Sequence, residues 1–442
     1  MTPASGPILS DTAAALCMLF IFLVPLAGAG IALINTGLGR ARSAAHQMMS
    51  SLCAVSIAAL VYFVFGFSWQ GFPGGPEHVV NVGGKGWSWI AAQPLFLRHV
   101  ALNGSPASLV ALLGMVSVGL AALIPLGSGA DRWRLSATCL STVLLAGVTY
   151  PIFAHWVWGG GWLAQLGENY GLGRGFVDAG GSSTIQAVGG LTALSVAWIL
   201  GPRRGKYTTE GMPTAIPGHN STFVVLGCML AMAGWWGLNS AGAVLFTGAG
   251  PGDAALVAIN TTLCAAASAL MAAMITGVRF GKPDLSLTAN GWIGGLAASS
   301  AACIFVRPPE AAAIGMVAGT LVTFSVEWFE LRMSVDDPGG AISAHAMGGL
   351  WGVLAVGVIA RVPPVGGNGA GENSGQWLAQ LVGLATLIGF VLPLTYGLNW
   401  VLNRIHPQRV GPEGERQGMD LHELGAGAYP EFMTHGDDFS ER

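Results

Sequence analysis

Two stretches of the chain repeat each other, and they decide how the fold is interpreted. Residues 178–191 have the sequence DAGGSSTIQAVGGL, and residues 337–350 have the sequence DPGGAISAHAMGGL. An Asp, a pair of Gly, a polar side chain eight positions after the Asp and a final GGL recur at an offset of 159 residues. Coincidence in a Gly-rich chain is the alternative, but four separate features keep one register. The match therefore indicates an internal duplication.

The rest of the chain has the composition of a membrane protein. Of its 442 residues, 52% are hydrophobic and 9% are charged, whereas soluble domains are about 25% charged. Eleven stretches reach the roughly 20 apolar residues that span a bilayer. They are residues 12–36, 45–68, 103–126, 133–156, 181–200, 220–246, 253–277, 284–305, 310–331, 340–361 and 376–404. We predict an all-α polytopic membrane protein, and the composition excludes a disordered chain, a soluble enzyme and a partner that is a nucleic acid.

The two repeated stretches open the fifth and the tenth of these predicted helices. Because the fifth and tenth helices are an odd number of crossings apart, the two copies cross the bilayer in opposite directions. Such an inverted-topology repeat is typical of transporters, which bind their substrate between the two halves near the middle of the membrane.

Basic residues indicate the orientation, because connections rich in Lys and Arg stay in the cytoplasm. Most of the 19 Lys and Arg residues lie in the odd-numbered connections and the C-terminal tail. The even-numbered connections contain Lys85, Arg98, Arg174, Arg307 and Arg361. We predict an N-terminus outside and a C-terminus in the cytoplasm. We also predict that the first helix is not a cleaved signal, because no basic residue precedes it.

One imidazole lies deep in the predicted spans. His345 is eight residues beyond the Asp of its repeat, or about 12 Å along a helix, and Gln186 holds the same place in the other copy. Inverted symmetry would make the two side chains face each other across a central pathway; the alternative is that both only bond neighbouring helices. The pattern predicts a narrow, mostly apolar conduit for small neutral molecules, without a cofactor or metal.

Other polar and aromatic groups lie where helices begin or end. Asp178 and Asp337 begin helices, where a carboxylate caps free N–H groups, so we expect them to act on the pathway through its geometry. The segment YPIFAHWVWGGGW at 150–162 is either an interfacial aromatic belt or a cation–π surface for a small cation. No nucleophile–base set, phosphate loop or metal cluster is visible, so we do not predict an enzyme.

At these positions the chain resembles the ammonium transporter family (Amt/Mep/Rh) along nearly its whole length. The matching stretches are GAGIALINTGLGR at 28–40, YPIFAHWVWGGG at 150–161, DAGGSSTIQAVGG at 178–190, GPRRG at 201–205, GWWGLNSAG at 234–242, DDPGGAISAHAMGGLWG at 336–352 and QGMDLHELGAGAY at 417–429. Their order and spacing agree with those of the family.

The resemblance implies eleven spans in two inverted five-helix repeats plus a final helix, and a homotrimer in the inner cell membrane with one pore in each subunit. It implies that ammonium binds at an outer aromatic site, loses its proton and crosses an apolar pore. Trp158 resembles the outer-site indole, Asp178 the supporting carboxylate and His345 the second pore histidine. Residues 1–405 form the membrane domain, and the tail at 406–442 resembles the segment that docks PII-type signal proteins.

The chain departs from the family at several pore positions. Gln186 replaces the first pore histidine, and Gly242 replaces the outer-site serine. Pro106 and Leu238 stand where the family has two stacked gate phenylalanines. Because Gln cannot take up a proton at neutral pH, a relay through two imidazoles cannot operate unchanged.

Loss of the two gate rings would widen the throat or leave it to other side chains, with Trp235 or Trp236 as candidates. The aromatic partners of Trp158 are also expected to be missing. We predict a passive ammonium/ammonia transporter with an atypical pore. An ammonium sensor that signals through the cytoplasmic tail and a channel for another small solute are the alternatives.

Overall fold

A computed structural model of the protein describes residues 9–363 and 375–429. Within them a helix stands at each of the eleven positions expected from the sequence. The helices are α1 (Asp11–Leu38), α2 (Ala41–Gln70), α3 (Pro106–Gly129), α4 (Leu135–Trp158), α5 (Ser182–Leu200), α6 (Ser221–Thr247), α7 (Pro251–Phe280), α8 (Leu285–Ala302), α9 (Pro308–Met333), α10 (Ile342–Val358) and α11 (Gln376–Ile405). Nine of them are long and apolar enough to span a membrane, and α10 is a shorter apolar helix. The chain is an all-α polytopic membrane protein, as the hydropathy predicts.

The two repeated helices, α5 and α10, cross at close range through glycines. A Cβ on Gly190 would lie 2.7 Å from the Cα of Ala346, and a Cβ on Gly349 would lie 2.9 Å from the backbone N of Ala187. The second contact is the first one moved by the repeat offset, with the roles of the helices exchanged. This reciprocity is the geometry of an inverted repeat, and small residues at the crossing allow the two backbones to approach.

The tail and the odd-numbered connections share one face of the bundle. Asp420 accepts hydrogen bonds from the backbone N–H groups of Ala45 (3.1 Å) and His46 (2.7 Å) at the start of α2. Glu423 accepts from the N–H of Leu135 (2.7 Å) at the start of α4. Two carboxylates of the tail therefore cap two membrane helices, which ties residues 406–429 to the membrane domain.

A buried ion network joins three connections on that face. Arg203 pairs with both oxygens of Asp336, with Nε–Oδ2 at 2.9 Å and Nη2–Oδ1 at 3.0 Å, and reaches Asp131 with Nη1 at 2.9 Å. Arg132 donates to the backbone oxygen of Asp336 at 2.8 Å. Burial acts to raise the pKa of Asp336, but the charge of Arg132 and the bonds from Arg203 outweigh it and lower that pKa to about 2.

The opposite face carries an antiparallel hairpin that hydropathy did not predict. Strands β1 (Glu77–Val82) and β2 (Lys85–Ala91) pair across Gly83 and Gly84, whose φ angles are 61° and 78°. Two consecutive glycines with positive φ make the tight turn that suits the twist of paired strands. The hairpin lies against the C-terminal end of α4, where its Ser88 Oγ is 2.9 Å from Nε2 of His155.

Candidate functional site

The two polar residues at equivalent repeat positions are in contact. The Nδ1 atom of His345 lies 2.7 Å from Oε1 of Gln186, and both side chains are buried. Each residue lies in a π-helical turn, Ser182–Ala187 in one copy and Ile342–Met347 in the other. Such turns inside α-helices are frequent at functional sites. The repeat thus brings the deep imidazole together with the residue at its equivalent position, as the inverted symmetry predicts.

The hydrogen bond in this pair leaves the amide nitrogen of Gln186 as a donor and one ring nitrogen of His345 as an acceptor. The amide oxygen of Gln186 can only accept, so Nδ1 of His345 donates and its Nε2 remains an acceptor. Nε2 of Gln186 is buried and has no hydrogen-bond partner among the described residues. A buried polar atom without a partner is costly unless a mobile species fills the place. The pair can therefore offer both an N–H donor and an imidazole acceptor to one small polar molecule.

Asp178 is fully used as a helix cap. Its Oδ1 accepts from the backbone N–H groups of Gly181 (2.9 Å) and Ser182 (2.8 Å). Its Oδ2 accepts from those of Ser183 (2.8 Å) and Thr184 (3.0 Å), and from both hydroxyl groups. With every lone pair engaged and the residue buried, this carboxylate fixes the start of α5 and has no free oxygen for a cation.

Asp337 makes the equivalent cap at the start of α10. Its Oδ1 accepts from the N–H of Ala341 (3.1 Å) and from the hydroxyl of Ser128 (2.6 Å), and its Oδ2 accepts from the N–H of Ile342 (2.8 Å). These two N–H groups correspond, at the repeat offset, to those of Ser182 and Ser183 that Asp178 caps. The two carboxylates therefore set the entry geometry of both repeated helices.

Trp158 lies beside the Asp178 cap and is stacked on a second aromatic ring. Its indole N–H donates to the backbone oxygen of Asp178 at 2.7 Å. The ring of Phe246 stacks on it, with centroids 4.5 Å apart and planes inclined by 7°. The expectation that Trp158 has lost its aromatic partner is wrong, because Phe246 supplies one from the end of α6. Sequence comparison by position missed it, since Phe246 lies eight residues beyond Leu238.

Gly242 and Leu238 lie on α6 below that stack. A Cβ on Gly242 would lie 3.1 Å from the Cα of Gly180 and would collide with the backbone oxygen of Ala179. The missing side chain at this position is thus a condition for the close approach of α6 to the segment before α5. Leu238 is fully buried one turn earlier.

Pro106 is not brought into this group. It occupies the first turn of α3 and lines a cavity of about 560 Å³ together with Phe72 and Leu245. Trp158 and His345 do not line that cavity. The structure therefore gives Pro106 a place beside the C-terminal end of α6 and not at the His345–Gln186 pair.

The two tryptophans expected to fill the throat behave differently from each other. Trp235 is fully buried, and its indole N–H donates to Ser300 Oγ at 3.1 Å. Trp236 is 40% exposed and donates to Thr262 at the outside of the bundle. Trp236 is therefore excluded as a filler, because its side chain points away from the interior.

A cavity that the sequence did not reveal reaches to within two residues of His345. Its volume is about 660 Å³, and Ser343, Asn290, Asp284 and Glu330 are among its lining residues. Ser343 is two positions from His345, and its buried hydroxyl has no partner among the described residues. A polar cavity thus approaches His345 from the face that carries the tail.

No group of three or more His, Cys, Asp or Glu side chains that could hold a metal ion occurs in the described residues. The side chains that the structure describes at the site are one imidazole, one amide, two capping carboxylates and a stacked pair of rings.

Comparison with known proteins identifies the family of the chain. The profile of the Ammonium Transporter Family matches residues 15–429. Ammonium transporter Amt2 of Archaeoglobus fulgidus is 36% identical over 93% of this chain and 87% of its own, and an ammonium transporter of Bacillus subtilis is 30% identical over 94% and 97%. Among solved structures, a protein described as Sensor Amt Protein has a TM-score of 0.82 at 26% identity, covering 93% of this chain and 98% of its own. The Mep2 protein of Saccharomyces cerevisiae has a TM-score of 0.75 at 25% identity, covering 91% and 90%. A profile match over nearly the whole chain shows that the protein belongs to the ammonium transporter family, whose named members transport ammonium and are not enzymes.

Proposed function

We propose that this chain transports ammonium along a pathway that each subunit forms between α5 and α10. Ammonium binds at Trp158, transfers its proton to water on the side from which it enters, and passes the pair of His345 and Gln186 as ammonia. The observation that carries the proposal is the 2.7 Å contact between these two side chains. It joins the two halves of the repeat through one imidazole and one amide.

The chemistry of the pair suits ammonia better than the cation. Ammonia has one lone pair and three N–H bonds, so it can accept from the free amide N–H of Gln186 and donate to Nε2 of His345. An ammonium ion has four donors and no lone pair, so the amide N–H group would repel it. No carboxylate bonds either side chain among the described contacts, and an uncompensated charge inside a membrane is costly.

We further propose the orientation that the basic residues predict, with an extracellular N-terminus and a cytoplasmic C-terminus. We also propose that the protein resides in the inner cell membrane. The contacts of Asp420 and Glu423 support a common side for the tail and the odd-numbered connections. We also retain a homotrimer and a PII-type signal protein at the tail 406–442 as proposals. Residues 430–442 of that tail lie outside the described residues.

The sensor alternative is not favoured. The relatives from Archaeoglobus fulgidus and Bacillus subtilis that cover most of the chain are both described as ammonium transporters. The solved structure that is described as a Sensor Amt Protein is 26% identical in sequence to this chain.

The test is ammonium flux into proteoliposomes, recorded with an internal pH-sensitive dye and by current, against empty liposomes. His345→Ala should abolish the flux or turn it into a leak of the hydrated cation. Gln186→His should restore the behaviour of a two-histidine pore, because it adds a second titratable ring. His406→Ala, a histidine at the end of α11 that contacts Ser136, is the control and should leave flux unchanged.

Loss of one buried hydrogen-bond partner costs about 1–3 kcal/mol, so each variant is first checked for an intact oligomer by size-exclusion chromatography. An intact His345→Ala protein with the flux and selectivity of the parent would refute the proposed pathway.

A further inference from the structure

The stacked ring on Trp158 closes the surface that a cation would use. A cation–π contact needs the face of the ring, and Phe246 covers one face of Trp158 at a centroid distance of 4.5 Å with nearly parallel planes. Two rings at that distance leave no room for an ion between them. Trp158 itself is 2% exposed. Ammonium can therefore reach this face only when Phe246 moves.

Of the two rings, Trp158 is the fixed one. Its indole N–H is bonded to the backbone oxygen of Asp178, and the carboxylate of that residue accepts four backbone N–H groups. Rotation of the indole would break its bond to a rigid segment. The position of the cation-binding ring is thus determined by the same cap that starts α5.

Phe246 stands on a segment that can change shape. It lies in the π-helical turn Ala243–Thr247 that ends α6. Gly248 follows with a φ angle of 77°, and Gly250 and Gly252 come soon after. π-Helical turns cluster at functional sites, and glycines give the chain after the ring a wide conformational range. The ring is partly exposed, so its displacement does not require opening of the core.

We propose that Phe246 is the gate of the outer site: it stacks on Trp158 when the site is empty and yields to ammonium or a small alkylammonium ion. The inference rests on the proposed role of Trp158 and adds a residue that the family comparison does not assign. Pro106 and Leu238, which the family resemblance predicts at the gate positions, have no aromatic ring. Ring stacking and cation–π attraction are of similar strength, so the ion can replace the phenyl ring on the indole.

The experiment measures uptake of labelled methylammonium into proteoliposomes, and its inhibition by ammonium, for the purified full-length protein. Phe246→Ala removes the competitor for the indole, so the half-inhibiting ammonium concentration should fall about two- to ten-fold. Phe246→Tyr keeps a ring that can stack and should behave like the parent. Leu245→Ala is the matched control, because the neighbouring side chain lines the cavity beside Pro106 and should leave the concentration unchanged.

Trp158→Ala separates the gate from the site on which it rests. If Trp158→Ala weakens inhibition by ammonium while Phe246→Ala leaves it unchanged, Trp158 is the binding ring and the gate proposal is wrong. If Trp158→Ala itself has no effect, both the outer site and its gate are refuted. A Phe246→Ala protein that is more easily inhibited, together with a Phe246→Tyr protein that matches the parent, supports the gate.

Discussion

The two capping aspartates occupy equivalent places in the repeat, yet replacing each with Asn should not cost the same stability. Each carboxylate oxygen of Asp178 accepts two backbone N–H groups. Each oxygen of Asp337 accepts only one backbone N–H, and the other partner of its Oδ1 is the hydroxyl of Ser128. The costs differ because a hydroxyl donor can rotate when one carboxylate oxygen is replaced by an amide nitrogen, whereas a backbone N–H cannot.

The expected cost follows from counting buried donors that lose their acceptor. Asn has a single amide oxygen, so Asp178→Asn leaves two backbone N–H groups without an acceptor, whichever way the amide is turned. Asp337→Asn leaves one, because the Ser128 hydroxyl can rotate and accept from the new NH₂ group. At about 1–3 kcal/mol for each buried orphan donor, the costs are roughly 2–6 kcal/mol at Asp178 and about 1–3 kcal/mol at Asp337.

The assay is thermal unfolding of the purified variants in one detergent at one scan rate, since unfolding of large proteins is often irreversible and the midpoint then depends on the rate. Asp178→Asn should lower the midpoint about twice as much as Asp337→Asn. Asp253→Asn is the control, because that carboxylate caps an exposed turn through Gly250 and should shift the midpoint little. Equal shifts at the two repeated aspartates, or a larger shift at Asp337, would refute the count of lost acceptors.

Two further predictions test the inner face and the helix crossing. The pKa of Asp336 is lowered from 3.8 to about 2, so its pairing with Arg203 stabilises the fold fully above pH 4 and loses that effect as the pH falls towards 2. The contribution to the free energy of unfolding is about 2 kcal/mol. An Asp336→Asn protein whose unfolding midpoint has the same acid dependence as that of the parent would disprove this prediction. Gly190→Ala and Gly349→Ala should each lower the unfolding midpoint, because the added methyl group forces α5 and α10 apart at a cost in stability of about 1–3 kcal/mol. Gly397→Ala is the control and should not lower the midpoint, because its added Cβ meets no heavy atom within 4 Å. Unchanged midpoints in both crossing variants would contradict the close packing.

The sequence predicted the helices and the central pair because both depend on regular patterns. Hydropathy located α5 at 181–200 against Ser182–Leu200, and α11 at 376–404 against Gln376–Ile405. The contact of Gln186 with His345 follows from the equal distance of each from its capping aspartate, once the inverted symmetry is recognised. Regular helices and a repeated register convert sequence spacing directly into position.

The hairpin was missed although its signal is present. Residues 77–91 contain apolar and polar residues on either side of Gly83 and Gly84, and a Gly-Gly pair between two such runs indicates a tight two-residue turn. A search for stretches of about 20 apolar residues cannot detect strands of six and seven residues. The hairpin matters for the site, because its Ser88 contacts His155 one turn before Trp158.

Phe246 could not be found from spacing, for a physical reason. Residues four apart share a face of a regular α-helix, which relates Leu238 to Gly242 and would carry the pattern on to residue 246. The π-helical turn Ala243–Thr247 changes the number of residues in the last turn, so helical spacing no longer tells where the side chain of Phe246 points. The stack on Trp158 is therefore a property of the irregular backbone and becomes visible only in the structure.

Gly242, Trp158 and Phe246 are connected by their packing. Without a side chain, Gly242 lets α6 lie against the backbone of Ala179, next to Asp178. Trp158 is bonded to the backbone of that same Asp178, and Phe246, at the end of the same helix, stacks on its ring. A serine at 242 would push α6 away from the segment that anchors the indole, and would separate the two rings. The glycine at 242 and the ring at 246 thus belong to one arrangement, in which the end of α6 supplies the ring that stacks on Trp158.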